Sequence, residues 1–170
     1  MAAPCDNTMR SGSVTIANGC RRMRWVRRTS GGLPAAQGEV WAMVSDLARY
    51  GEWLPWHDRW LRELPKPVLP GRCAVQQVTV LGSIHTIEWT ITELVSPSVM
   101  RLATLGQHGL LLSFTTQVRP IDDGRSAVTL EVQLDGAMLN RVGTFAIESV
   151  VAAEFEKALS QLDKLVSGSC

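Results

Sequence analysis

Between residues 72 and 135 the chain repeats one pattern five times. Runs at 72–81, 84–95, 99–105, 109–119 and 125–135 read as strands, and "LGS", "SPS", "GQHG" and "DDGR" separate them. The separators are rich in Gly, Pro, Asp and Ser, the residues that supply turn geometry. Within the runs the side chains alternate. Phe114, Thr116 and Val118 share one face, as do Val128, Leu130, Val132 and Leu134. Strands joined by such short turns pair antiparallel, and a sheet with one apolar face needs a cover. The cover follows at once. From Ala137 to about Val166 the period becomes 3.6, with Phe145, Ala152, Phe155, Leu159, Leu162 and Val166 on one stripe. Glu148, Glu154, Glu156, Lys157, Asp163 and Lys164 fall mostly off it. A helix of roughly 28 residues spans about 42 Å.

The region before this block adds the remaining elements. "RRMRWVRRTSG" (21–31) reads as a first strand. Pro34 suits a first helical position, and Val40, Trp41, Met43 and Val44 recur helically over 35–46. Asp46 is placed to cap a second short helix, 47–53, and Pro55 makes its continuation costly. Residues 57–64 read as a strand, and the three prolines of "PKPVLPG" (65–71) make a rigid turn. In "WHDRW" strict alternation sets Trp56, Asp58 and Trp60 on one face and His57 and Arg59 on the other, so His57 and Asp58 form no dyad.

The order predicts an α+β fold. A curved antiparallel sheet of six to seven strands wraps around a long C-terminal helix, with two short helices after strand 1. Residues 21–168 form a single domain. The first twenty residues, "MAAPCDNTMRSGSVTIANGC", are small and polar and read as a loosely ordered leader. They lack the apolar core of a secretory signal, and no apolar run is long enough for a transmembrane helix.

Charge is uneven. Residues 1–38 carry Arg10, Arg21, Arg22, Arg24, Arg27 and Arg28 against one acid, Asp6, in a chain of net charge +1. The cluster Arg21–Arg28 reads either as the solvated outer face of a strand or as a patch for RNA, ribosome or anionic lipid. The near-neutral total favours the first, so no nucleic-acid partner is expected. Cys5, Cys20, Cys73 and Cys170 include no CxxC pair and read as free thiols in a reducing cytoplasm. His57, His85 and His108 are the only histidines, and none has metal-ligand spacing. Nucleophile elbows and phosphate loops are missing from the sequence. Neither metal nor cofactor is expected.

One stretch, "GEVWAMVSDLARYGEWLPWH", resembles the opening signature of the START-like, polyketide cyclase/dehydrase and lipid-transport superfamily (SRPBCC-type). The resemblance rests on Val40, Trp41, Asp46, Tyr50, Trp53 and Pro55, with "LPG" (69–71) and "LSQLDKLV" (159–166) in support. It implies a helix-grip fold around a hydrophobic cavity. Members include lipid and sterol carriers, hormone receptors, aromatic cyclases, quinone-binding proteins and a ribosome-association toxin.

On that fold, alternation puts His85, Ile87, Trp89 and Ile91 on the inner wall with Leu112, Phe114 and Thr116. The helix adds Leu139, Val142, Phe145 and Ala146. The short helices close one end, bringing Trp53 or Trp56 to a ligand. The same side chains also suit a filled core. His85 is the candidate for orienting a ligand or for acid–base chemistry, set against a core histidine satisfied by one hydrogen bond. The expectation is a cytoplasmic binding or carrier protein for a hydrophobic small molecule, such as a lipid, polyketide or isoprenoid. The alternatives are a polyketide aromatase/cyclase, disfavoured by the scarcity of inward titratable groups, and an RNA-, ribosome- or membrane-interacting protein using the arginine strand.

Overall fold

The computed structural model of the chain describes residues 23–105, 110–136 and 144–168. Its elements are β1 (Met23–Leu33), α1 (Gln37–Val44), a 3-10 turn (Leu47–Arg49), α2 (Tyr50–Trp53), β2 (His57–Trp60), β3 (Cys73–Val80), β4 (Ser83–Val95), β5 (Val99–Leu105), β6 (Leu111–Asp122), β7 (Arg125–Gly136) and α3 (Thr144–Ser167). The seven strands form one antiparallel sheet in the order β1-β7-β6-β5-β4-β3-β2. This is the expected α+β helix-grip architecture, with both short helices after β1.

Strand register explains the core. Leu102 stands opposite Phe114, which stands opposite Val132. One pair along, Met100, Thr116 and Leu130 are level. Directly opposed residues share a face, so these rows make a continuous inner surface. Against it α3 packs Phe155, Ala158, Leu159 and Leu162, all buried. Burying each of the large ones contributes about 1.5–3 kcal/mol. Gly31 on β1 lets the helix approach: a Cβ there would lie 3.2 Å from Leu159 Cδ1. α1 adds Val40, Trp41, Met43 and Val44 to the same core.

Local signals account for the short helices. Asp46 Oδ1 accepts from the Ala48 N–H at 3.0 Å, capping the 3-10 turn as expected. Glu39 accepts from the Ala36 N–H at 3.1 Å and caps α1. Pro34 does not open this helix. β1 runs on to Leu33, and Ala36 is the capping residue.

Two further differences concern β2 and Cys73. β2 ends at Trp60 instead of residue 64. It also carries a bulge between His57 and Arg59. The bulge defeats strict alternation: His57 pairs with Val78 and Trp60 with Gln76, both on the inner face, while Arg59 lies against Gln77 on the outer face. Cys73, expected as a free thiol, is disulfide-bonded.

The β3–β4 connection is a two-residue turn with Leu81 at φ 53° and Gly82 at φ 75°. Two positive φ values suit the right-handed twist of a hairpin. Gly82 adopts this freely, whereas a leucine there is strained by about 1–2 kcal/mol.

The arginine strand splits by face. Arg24 and Arg28 point outward and stand opposite Asp135 and Glu131 of β7. Arg24 Nε meets Asp135 Oδ1 at 3.0 Å, and Arg28 is ion-paired to Glu131. Arg27 points inward, 3.7 Å from Glu148 of α3. Each described arginine of the cluster therefore has a carboxylate partner, the pattern of an ion-paired outer face.

Candidate functional site: an apolar cavity between sheet and helix

A partly enclosed cavity of about 130 Å³ lies between the sheet and the N-terminal half of α3. Val78 and Val80 of β3, with Ile87 and Trp89 of β4, form one wall. Leu112 and Phe114 of β6, with Val132 of β7, form the floor. The helix contributes Val150, Val151, Glu154 and Phe155. Trp56 completes the lining from the short segment between α2 and β2. Pro55 stops α2, and the Trp56 carbonyl accepts from the Thr79 N–H at 3.0 Å, so this residue is tied to β3.

Three rings make the inner end aromatic. Trp56 meets Phe114 edge to face at 5.7 Å and 85°, and meets Phe155 at 5.7 Å and 41°. Phe114 and Phe155 are 6.3 Å apart. These are favourable aromatic separations, and they fix the shape of the wall.

Among the described residues Glu154 is the one ionisable side chain in the lining. Lys157 Nζ donates to its Oε1 at 2.8 Å, and its side chain is 25% exposed. Behind the wall runs a short polar chain. Trp89 Nε1–H donates to Gln76 Oε1 at 2.6 Å, and Gln76 Nε2 lies 2.7 Å from His57 Nδ1. The indole can only donate, so the Gln76 oxygen faces it and the amide N–H faces His57. His57 Nδ1 is then an acceptor, and Nε2 carries the proton. Burial holds the His57 pKa below the ordinary histidine value, against a smaller opposing effect of the Asp58 charge. Asp58 itself is engaged elsewhere, accepting from Thr79 Oγ1 at 2.7 Å.

The expected site residues divide. Trp56, Ile87, Trp89, Leu112 and Phe114 line the cavity. Trp53 is fully buried beside Tyr50 at 5.4 Å and does not reach the lining. Thr116 is buried between Met100 and Leu130, beyond the cavity floor. His85 is exposed, stands opposite Val78 and is not part of the lining. It does not face Thr116. Thr116 is level with Leu94 through Met100, nine residues from His85 along β4, or about 30 Å at strand rise. Leu139 and Val142 lie outside the described residues. Phe145 and Ala146 fall on the first turn of α3, and their side chains are likewise outside.

Sequence reasoning missed Val78, Val80, Val132, Val150, Val151, Glu154 and Gln76. Phe155 and Val132 were visible on their apolar faces but not assigned to the cavity. The described part of the helical lining comes from residues 150–155, whose apolar pair Val150–Val151 was the available signal; the side chains of the expected Leu139, Val142, Phe145 and Ala146 lie outside the described residues. Gln76 and Gln77 are adjacent polar residues in one strand, and only the register shows that Gln76 faces inward. Among the described residues no group of three or more His, Cys, Asp or Glu side chains could hold a metal ion. Among the same residues no helix is long and apolar enough to cross a membrane.

Comparison with known proteins agrees with this geometry. The sequence model of the family described as polyketide cyclase / dehydrase and lipid transport matches residues 17–167. The Mycobacterium tuberculosis protein named Toxin Rv0910 is 31% identical over 137 residues, covering 80% of this chain and 94% of that protein. Uncharacterized protein Rv1546 of the same organism matches equally, at 31% over 137 residues, with the same two coverages. Among solved structures, a START superfamily protein from Mycobacterium smegmatis aligns with a TM-score of 0.68 at 12% identity, over 85% of this chain and 99% of that one. The Zhui aromatase/cyclase from a Streptomyces species aligns with a TM-score of 0.68 at 16% identity, over 85% of this chain and 94% of that one. Signature residues, strand order, helix-grip packing and the family match agree: the chain belongs to the polyketide cyclase/dehydrase and lipid transport family.

Proposed function

We propose that the chain is a binding or carrier protein for a hydrophobic small molecule held between the sheet and α3. The observation that carries this reading is the cavity of about 130 Å³, apolar around its wall except at Glu154. A concave apolar site with few placed polar groups is the usual form of a small-molecule pocket. Trp56, Ile87, Trp89, Leu112 and Phe114 are the contact residues in this reading, with Val132 beside Phe114 on the floor and Val151 and Phe155 on the helix. A catalytic reading, such as cyclisation of a polyketide, has less support, because Glu154 is the single acid–base group of the lining among the described residues.

The test is titration of the purified protein with toluene, followed by the methyl NMR signals of Val78, Val132 and Val151. Saturable shifts confined to these residues are the expected result. Val132→Trp, which fills the space, removes them while the protein still unfolds cooperatively. Absence of shifts at saturating toluene overturns the reading.

A second reading comes from the relative named Toxin Rv0910, which matches at 31% identity over 94% of its length. If this chain acts similarly, inducing it in a bacterial host arrests growth. Unchanged growth at confirmed protein levels overturns that reading.

A further inference from the structure

The cavity also specifies the class of molecule it takes, an inference that rests on the binding reading above. Size comes first. An engineered apolar cavity of about 150 Å³ accommodates benzene, whereas drug-sized pockets run to about 300–1,000 Å³. At about 130 Å³ this cavity is of the size for one ring.

The wall selects the kind of ring. Trp56, Phe114 and Phe155 already meet one another at 5.7–6.3 Å, in edge-to-face and tilted arrangements. A planar aromatic guest extends this set with the same preferred contacts, which a saturated chain cannot make.

Polarity selects the substituent. Glu154 is an acceptor, and Lys157 occupies its Oε1. Its second carboxylate oxygen has no partner among the described residues. A guest seated against Glu154 without a donor would desolvate its carboxylate with no hydrogen bond in return. An anionic guest would bring a second negative charge against the Glu154 carboxylate. A hydroxyl donor satisfies it.

We propose that the cavity binds a small monocyclic phenol, with the ring against Trp56, Phe114 and Phe155 and the hydroxyl donating to Glu154. The rest of the lining sets the outline of the ring, and Glu154 decides between guests of equal shape.

Isothermal titration calorimetry with 4-methylphenol, toluene and 4-methylbenzoate tests this. The three share a methyl-substituted ring and differ in donor and charge. In the wild type, 4-methylphenol binds about tenfold to a hundredfold tighter than toluene, the range for a hydrogen bond to a charged group. 4-Methylbenzoate binds more weakly than toluene. Glu154→Leu brings 4-methylphenol to the level of toluene. Lys157→Met, which keeps the acceptor, preserves the preference and controls for loss of the ion pair. Thermal unfolding of both variants checks that they are folded.

Equal affinity for 4-methylphenol and toluene in the wild type overturns the phenol assignment while the apolar binding site stands. So does a preference that survives Glu154→Leu. If none of the three binds, both the assignment and the binding reading fall.

Discussion

Gln76 donates its amide N–H to His57 Nδ1 across 2.7 Å, and this one bond fixes the protonation state of the histidine. A proton on Nδ1 would turn the acceptor into a donor. Gln76 cannot flip to receive it, because its NH₂ would then face the Trp89 N–H.

A pH dependence of stability follows. Burial lowers the folded-state pKa of His57 below the ordinary 6.5. The unfolded chain therefore binds this proton at higher pH than the folded chain does. The contribution is fully present above 6.5, is lost as pH falls through that value, and levels off below the folded pKa. Thermal melts across this window show the wild type losing more stability towards acid than His57→Leu. Parallel curves for the two proteins contradict the assignment.

Gln76 is 1% exposed and serves two partners at once. Gln76→Ala leaves the Trp89 N–H and His57 Nδ1 without it and opens a small void. Each unpaired buried group costs about 1–3 kcal/mol, so urea denaturation reads a loss of about 2–4 kcal/mol. A loss under about 0.5 kcal/mol shows that water replaces the amide at no cost.

Gly31 leaves room for Leu159 of α3 against β1. Gly31→Val drives its side chain against a Leu159 methyl placed 3.2 Å from the new Cβ, an overpacking that costs about 1–3 kcal/mol. Leu159→Ala alone costs about 2–5 kcal/mol. The double variant is less destabilised than the sum, because each change makes room for the other. Strict additivity in a double-mutant cycle shows that the two sites do not press on each other.

Leu81 is 71% exposed at φ 53°, a conformation that asparagine accepts more readily than leucine. Leu81→Asn creates the Asn-Gly pair favoured in two-residue hairpins and raises stability by about 0.5–1 kcal/mol. A decrease on denaturation shows that the leucine has a compensating contact.

The architecture was legible in the sequence because it depends on period and punctuation. Alternation over 72–135 and the 3.6 repeat after it fix the number of elements, and "SPS" and "DDGR" mark where they turn. What failed was register. A bulge at His57–Arg59 reverses the face of Trp60, and no local residue announces it. The same difficulty hid Gln76 behind Gln77. His85 was misplaced in depth, not in face: alternation puts it on the inner side of β4, but its position near the hairpin tip leaves it exposed. The position of α3 along the sheet is set by Gly31 and Leu159, a pair separated by most of the chain. Among the described residues the helix meets the cavity at 150–155, and the side chains of the expected positions 139–146 lie outside them.

β1 ends the sheet, with β7 on one side. An end strand offers a row of backbone groups on which another chain can polymerise, and eleven residues make a long template. Arg24 and Arg28 stand on the outward face of this strand, each beside an acid of β7, and put charge along the edge. Among the described residues this edge is uncovered, and charged side chains along an edge strand are one of the devices by which natural sheets discourage edge-to-edge pairing.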